Sequence, residues 1–118
     1  IGVGFWRSAM GWTDDEPYMA KMGRIVESFV ATLNILSEPH FAEEMEGRYG
    51  RYEPYEHLAF GSDFDGATTT AFDVTGVSHV VAALAQARNQ NMQLIFPREK
   101  LALIAGENTR RVLQAAMK

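Results

Sequence analysis

The 118-residue chain contains no cysteine. That absence excludes disulfides, thiolate metal sites and cysteine nucleophiles at a stroke. It fits a reducing cytoplasm without assigning a compartment. No apolar run reaches the length of a transmembrane helix, and no charged-then-apolar leader opens the chain. Basic clusters interleaved with aromatics are also missing. With 11 basic and 15 acidic residues the net charge is −4, which argues against nucleic acid or an anionic membrane as the main partner. No internal repeat or low-complexity segment interrupts the chain.

What is present is an ordinary composition, 47% apolar and 22% charged, in a chain the length of one domain with room for a moderate core. The first residue is Ile, and Ile1-Gly2-Val3-Gly4-Phe5-Trp6 already reads as a strand. A strand that begins at the first residue is expected in a processed chain or a piece of a longer one. Its alternating glycines predict close packing against another backbone.

The remaining pattern predicts strand, helix, helix, strand, helix, helix, helix. Trp12 to Pro17 supplies cap formers and acids for a helix start. Met19, Met22, Val26, Phe29, Val30, Leu33 and Leu36 then recur at helical spacing. Ser37-Glu38-Pro39 breaks that helix and caps a short one through Phe41 and Met45, ended at Gly47 to Gly50. Tyr49, Tyr52 and Tyr55 read as a solvated connector. Thr75-Gly76 opens a helix with Val77, Val80, Val81, Leu84 and Ala87 on one stripe, His79 lying off it. Pro97 starts a short helix that Gly106 ends in a left-handed cap, and Asn108 caps a final helix. In that helix Val112 and Leu113 face inward, Arg110 and Arg111 outward.

The informative stretch is His57-Leu58-Ala59-Phe60-Gly61-Ser62-Asp63-Phe64-Asp65-Gly66. Leu58 to Phe60 is an apolar run of strand length, followed by glycines and two carboxylates spaced i, i+2. Such strand ends are where α/β folds place their chemistry. Ala67 to Val74 forms a long loop at the same end. Three readings fit the acidic turn. It is a plain Asp/Gly turn, a calcium loop, or a catalytic strand end. The calcium reading lacks a closing acid, because position twelve counted from Asp63 is Val74. His40, His57 and His79 have no partners at metal-ligand spacing.

Phe60-Gly61-Ser62-Asp63-Phe64-Asp65-Gly66-Ala67-Thr68-Thr69, continued by Phe72-Asp73 and Thr75-Gly76, resembles the final-strand signature of the membrane (renal-type) dipeptidases, which belong to the amidohydrolase-like metal-dependent hydrolases. Ile104-Ala105-Gly106-Glu107-Asn108 with Arg111-Val112-Leu113 resembles that family's closing Gly-x-Asn-x-x-Arg-Val-Leu/Phe element, and Ile1 to Trp6 its penultimate core strand. The match is loose over Ser37 to Glu56.

The resemblance implies an α/β fold in which residues 1–118 form a single partial domain, the C-terminal third or so of a (β/α)8 barrel. It implies hydrolysis of small dipeptides, with Asp63 as the proton-shuttling catalytic acid beside a metal-bound water. Gly66 would line the substrate pocket, and Asp65 would brace the turn. The cofactor implied is a pair of zinc ions. Their ligands, a His-x-Asp pair, a bridging Glu and two further histidines, would all precede this chain, which therefore supplies none. Alone it would be inactive and would associate with itself or another chain through exposed strand edges and a helix face. The alternative is a stand-alone, non-catalytic α/β interaction domain that kept the barrel end without its chemistry.

Overall fold

The core is built where one long helix meets a short parallel sheet. The computed structural model describes residues 1–4, 11–13, 15–61 and 76–117. The described residues form an α/β arrangement, mostly helical. They run as β1 (Gly2–Val3), α1 (Tyr18–Leu36), α2 (Pro39–Tyr49), β2 (Ala59–Phe60), α3 (Val77–Gln86), α4 (Arg98–Ala102) and α5 (Asn108–Ala116). A 3-10 turn, Pro54–His57, leads into β2. The element order is the one the sequence pattern predicts.

Helix α1 turns Met22, Ile25, Phe29, Leu33 and Leu36 inward, with Val26 and Val30 packed against the same core. This is a period-3.6 stripe, rotated slightly from the expected one. Ile25 is fully buried, and Met19 projects into solvent. Before α1 the chain folds back on the helix. Thr13 donates its amide to Glu16 Oε1 at 3.1 Å, and Arg24 closes on both Glu16 oxygens at 3.0 and 2.9 Å. Lys21 Nζ sits 4.3 Å over the buried Trp12 ring. Helix α2 begins as expected, Glu38 accepting from the amides of His40 and Phe41. It buries no residue of its own.

Strands β1 and β2 pair in parallel, Gly2 opposite Ala59 and Val3 opposite Phe60. Phe29 is the hub beneath them, edge-on to Phe60 at 5.6 Å and to Phe96 at 6.5 Å. Helix α3 adds Val80 and Leu84, and α4 with the turn after it adds Leu101 and Ile104. Between α3 and α4 lies a tight antiparallel turn, Arg88 bridging Leu94, that the apolar pattern does not reveal. Asn89 builds it, its Oδ1 accepting from the amides of Asn91 and Gln93, an Asx-type local bond.

Three expectations need correction. Gly106 is not a left-handed cap: its φ is 179°, extended backbone, and α4 and α5 join across a kink there. Asn108 does not cap α5 from outside; it is helical and buried. Val112 and Leu113 do not face inward, being 59% and 56% exposed; they line an open groove beside Ile1, Leu58 and Ala59. The strand expected over Ile1 to Trp6 is described only as far as Gly4.

Gly2 of β1 does meet another backbone, that of Gly61. A Cβ on Gly61 would lie 3.1 Å from the Gly2 carbonyl carbon, and one on Gly2 would lie 3.2 Å from Gly61 Cα. Neither contact can be relieved by turning a side chain. Gly61→Ala is therefore expected to destabilise the chain by about 1–3 kcal/mol in urea unfolding. Gly47→Ala, in open space on α2, should instead stabilise by about 0.5–1 kcal/mol.

Candidate functional site at the end of the parallel sheet

Asp63 and Gly66, the expected catalytic and substrate-pocket residues, lie outside the described residues, as do Asp65 and the loop 67–74. The structure describes the frame that leads to them. Strand β2 runs directly into Gly61, and its register is fixed by Ala59 N donating to Ile1 O and Gly61 N donating to Val3 O, both at 2.9 Å.

The strongest fastening comes from the other end of the chain. Asn108 Nδ2 donates to Tyr55 O and to Leu58 O, each at 2.8 Å, across about fifty residues of sequence. Both carbonyls belong to the lead-in of β2. One turn later Arg111 Nη2 donates to Glu56 O at 2.8 Å, while its Nη1 reaches Asn108 Oδ1 at 3.3 Å. Three carbonyls of the lead-in are thereby held by two side chains of one helix. The kink at Gly106 lets α5 approach in the phase that points Asn108 inward.

Electrostatics reinforce this clamp. Glu56 pairs with Arg51 at 2.8 Å and lies 4.0 Å from Arg111. The hydrogen bond and charge of Arg51, then the charge of Arg111, hold the Glu56 carboxyl below its ordinary value. Tyr52 and Tyr55 are not a solvated connector. Tyr55 donates its hydroxyl to Ile95 O, and Tyr52 donates to Leu36 O at 2.7 Å. Burial raises the pKa of both phenols, with the Glu53 charge as the lesser cause. Only Tyr49 is left projecting. The signal that could have separated them is adjacency, since Tyr52 and Tyr55 flank the turn into the strand.

The three histidines are dispersed. His57 stacks on Tyr52 at 5.2 Å. His79 is exposed, as expected for a residue off the α3 stripe, and its Nδ1 pairs with the Tyr18 hydroxyl at 2.9 Å. That bond brings the first turns of α1 and α3 together. His40 stands at the start of α2. Among the described residues no group of three or more His, Asp or Glu is gathered to hold a metal ion. No described helix is long and apolar enough to cross a membrane. Comparison with protein-family models, with curated proteins and with solved structures returns no match.

Two outcomes follow from the clamp. Asn108→Ala leaves two lead-in carbonyls without their donor and is expected to cost about 2–4 kcal/mol in urea unfolding. Asn108→Asp should cost at least as much, because a carboxylate would face both carbonyl oxygens. The second outcome concerns acid. The folded chain keeps Glu56 ionised to lower pH than the unfolded chain, whose glutamate titrates near the ordinary 4.5. Below that value the unfolded state binds protons first, so stability falls with pH until folded Glu56 is itself protonated. Thermal melts from about pH 6 down to about pH 3 should show this loss, with a shallower slope in Glu56→Gln.

Proposed function

We propose that this chain is the C-terminal portion of a zinc-dependent dipeptidase, its two parallel strands being the last two of a (β/α)8 barrel. The reading rests on the paired motifs Gly61-Ser62-Asp63-Phe64-Asp65-Gly66 and Gly106-Glu107-Asn108 with Arg111. One observation supports it above the others. The closing motif's Asn108 and Arg111 grip the lead-in of the strand that ends in the acidic motif. A catalytic carboxylate must be held within about half an ångström of its working position by packed neighbours. The two motifs thus have a physical reason to occur together.

In this reading the metals and their ligands belong to residues outside these 118. Zinc, when bound there, would supply an activated water. Asp63 takes a proton from the nucleophile's side and hands it to the leaving amine of the dipeptide, as a positioned carboxylate can. Gly66, lacking a side chain, leaves its backbone open to the substrate. The chain alone would be inactive.

A second reading, a non-catalytic interaction domain, is favoured by one finding: the apolar stripe of α5 is uncovered.

The test is made in the intact parent enzyme. Asp63→Asn should lower turnover by a factor on the order of 10² or more while the zinc content of the purified protein is unchanged. Undiminished turnover would remove Asp63 from the chemistry. The 118-residue chain itself should purify without stoichiometric zinc by elemental analysis. Tight zinc there would instead place a ligand set within this chain.

A further inference from the structure

Helices α1 and α3 begin side by side, each without the usual fastening. The N-cap of α1 is Pro17 and that of α3 is Gly76, and no described side chain caps either helix. Neither carries an acid in its first turn to answer the free amides and the dipole there. Helix α2 shows the contrast, its Glu38 capping two amides. Helix ends left in this way fray.

What holds the two ends instead is a contact between them. The Tyr18 hydroxyl and His79 Nδ1 lie 2.9 Å apart, and the two rings meet edge-on at 6.0 Å. The α1 side of this tie is firm. Glu16, just ahead of Pro17, is held by Arg24 through two hydrogen bonds and by the amide of Thr13. The α3 side is weaker. Val80 and Leu84 anchor the body of that helix in the core, but Val77 is half-buried, and Ser78 and His79 are exposed. Gly76 is buried yet has no side chain to pack. The first turn of α3 thus takes its position from α1, through His79.

That turn bounds the segment between Gly61 and Gly76, which carries Asp63 and Gly66. The near end of the segment is fixed by the ladder to β1 and by Asn108. Opening the first turn of α3 would add about three or four residues to the segment at its far end. A carboxylate that must be held within about half an ångström would then lose one of its two fixed ends. We propose that Tyr18 and His79 are positioning residues, whose hydrogen bond closes the first turn of α3 and sets the far end of the segment bearing Asp63. The link to catalysis rests on the dipeptidase reading; the closing of the turn does not.

Hydrogen exchange in the 118-residue chain tests the closing. Tyr18→Phe keeps the ring contact and removes only the hydroxyl. It should speed exchange of the Val80 and Val81 amides, which bond back to the first turn of α3, by about 3-fold or more. The amides in the second half of α3 should keep their rates. His79→Ala should act likewise, and the double variant should add nothing to either single one. His79→Asn, whose amide can meet the same hydroxyl, should restore the original rates. In the intact parent enzyme Tyr18→Phe should lower kcat and raise KM together, kcat by about 3-fold or more, with His79→Asn close to the unaltered enzyme. Unchanged exchange at Val80 and Val81, or exchange raised equally along α3, would overturn the proposal. So would unchanged kcat and KM in a parent enzyme that Asp63→Asn inactivates. If Asp63→Asn itself leaves turnover intact, the dipeptidase reading fails, and the exchange result alone decides the tie.

Discussion

Two hydrogen bonds from one amide determine how the parts of this chain can sit. Asn108 is a buried polar residue of the core region, and its Nδ2 donates to both Tyr55 O and Leu58 O. A buried amide left unpaired is costly, and so are the two carbonyls it satisfies. That mutual dependence fixes the phase of α5 and the height of β2 together. The kink at Gly106 follows from it, because a straight continuation of α4 would carry Asn108 to another face. With Asn108 inward, Val112 and Leu113 one turn on are left more than half exposed at a groove beside Ile1, Leu58 and Ala59.

Around that clamp the chain uses close approach where it could have used side chains. Gly2 and Gly61 meet backbone to backbone across the parallel pair, which leaves nothing to adjust at the point where β2 ends. On the other side Phe29 holds Phe60 and Phe96 edge-on, so the strand is braced from below by rings with few rotamers. The exit from β2 is therefore rigid in three directions: along the strand by register, across it by the glycine pair, and beneath it by Phe29.

The sequence pattern revealed the fold at the level of order and periodicity. Apolar spacing located α1 and α3, Glu38-Pro39 located α2, and the run from Leu58 located β2, because each of those signals is local. It failed where the deciding partner is distant. Asn108 read as a cap since Asn before a helix usually is one, and no neighbouring residue announces carbonyls fifty positions away. Tyr52 and Tyr55 read as solvated because phenols tolerate water; their acceptors, Leu36 O and Ile95 O, belong to other elements. Val112 and Leu113 read as buried because periodicity shows which face of a helix is apolar, not whether anything lies opposite. The candidate site was legible only through its motifs. Asp63 and Gly66 are named by sequence alone, and the structure contributes the frame before them.

The same helix thus faces two demands that pull apart. Its polar first turn must point at the β2 lead-in to hold the strand, and that choice leaves its apolar stripe uncovered. Positions 112, 113 and 117 could be polar at little cost to the core, since each of the three residues is more than half exposed. Leaving three large apolar residues on a surface carries an aggregation liability. The liability is removed if something covers the stripe, whether a second copy of the chain or further residues of a larger barrel. In either case α5 links the position of the strand before Asp63 to the contact on its far side, because a shift of one turn in α5 would move Asn108 and Leu113 together. Any partner seated on that stripe would therefore press on the clamp that sets β2.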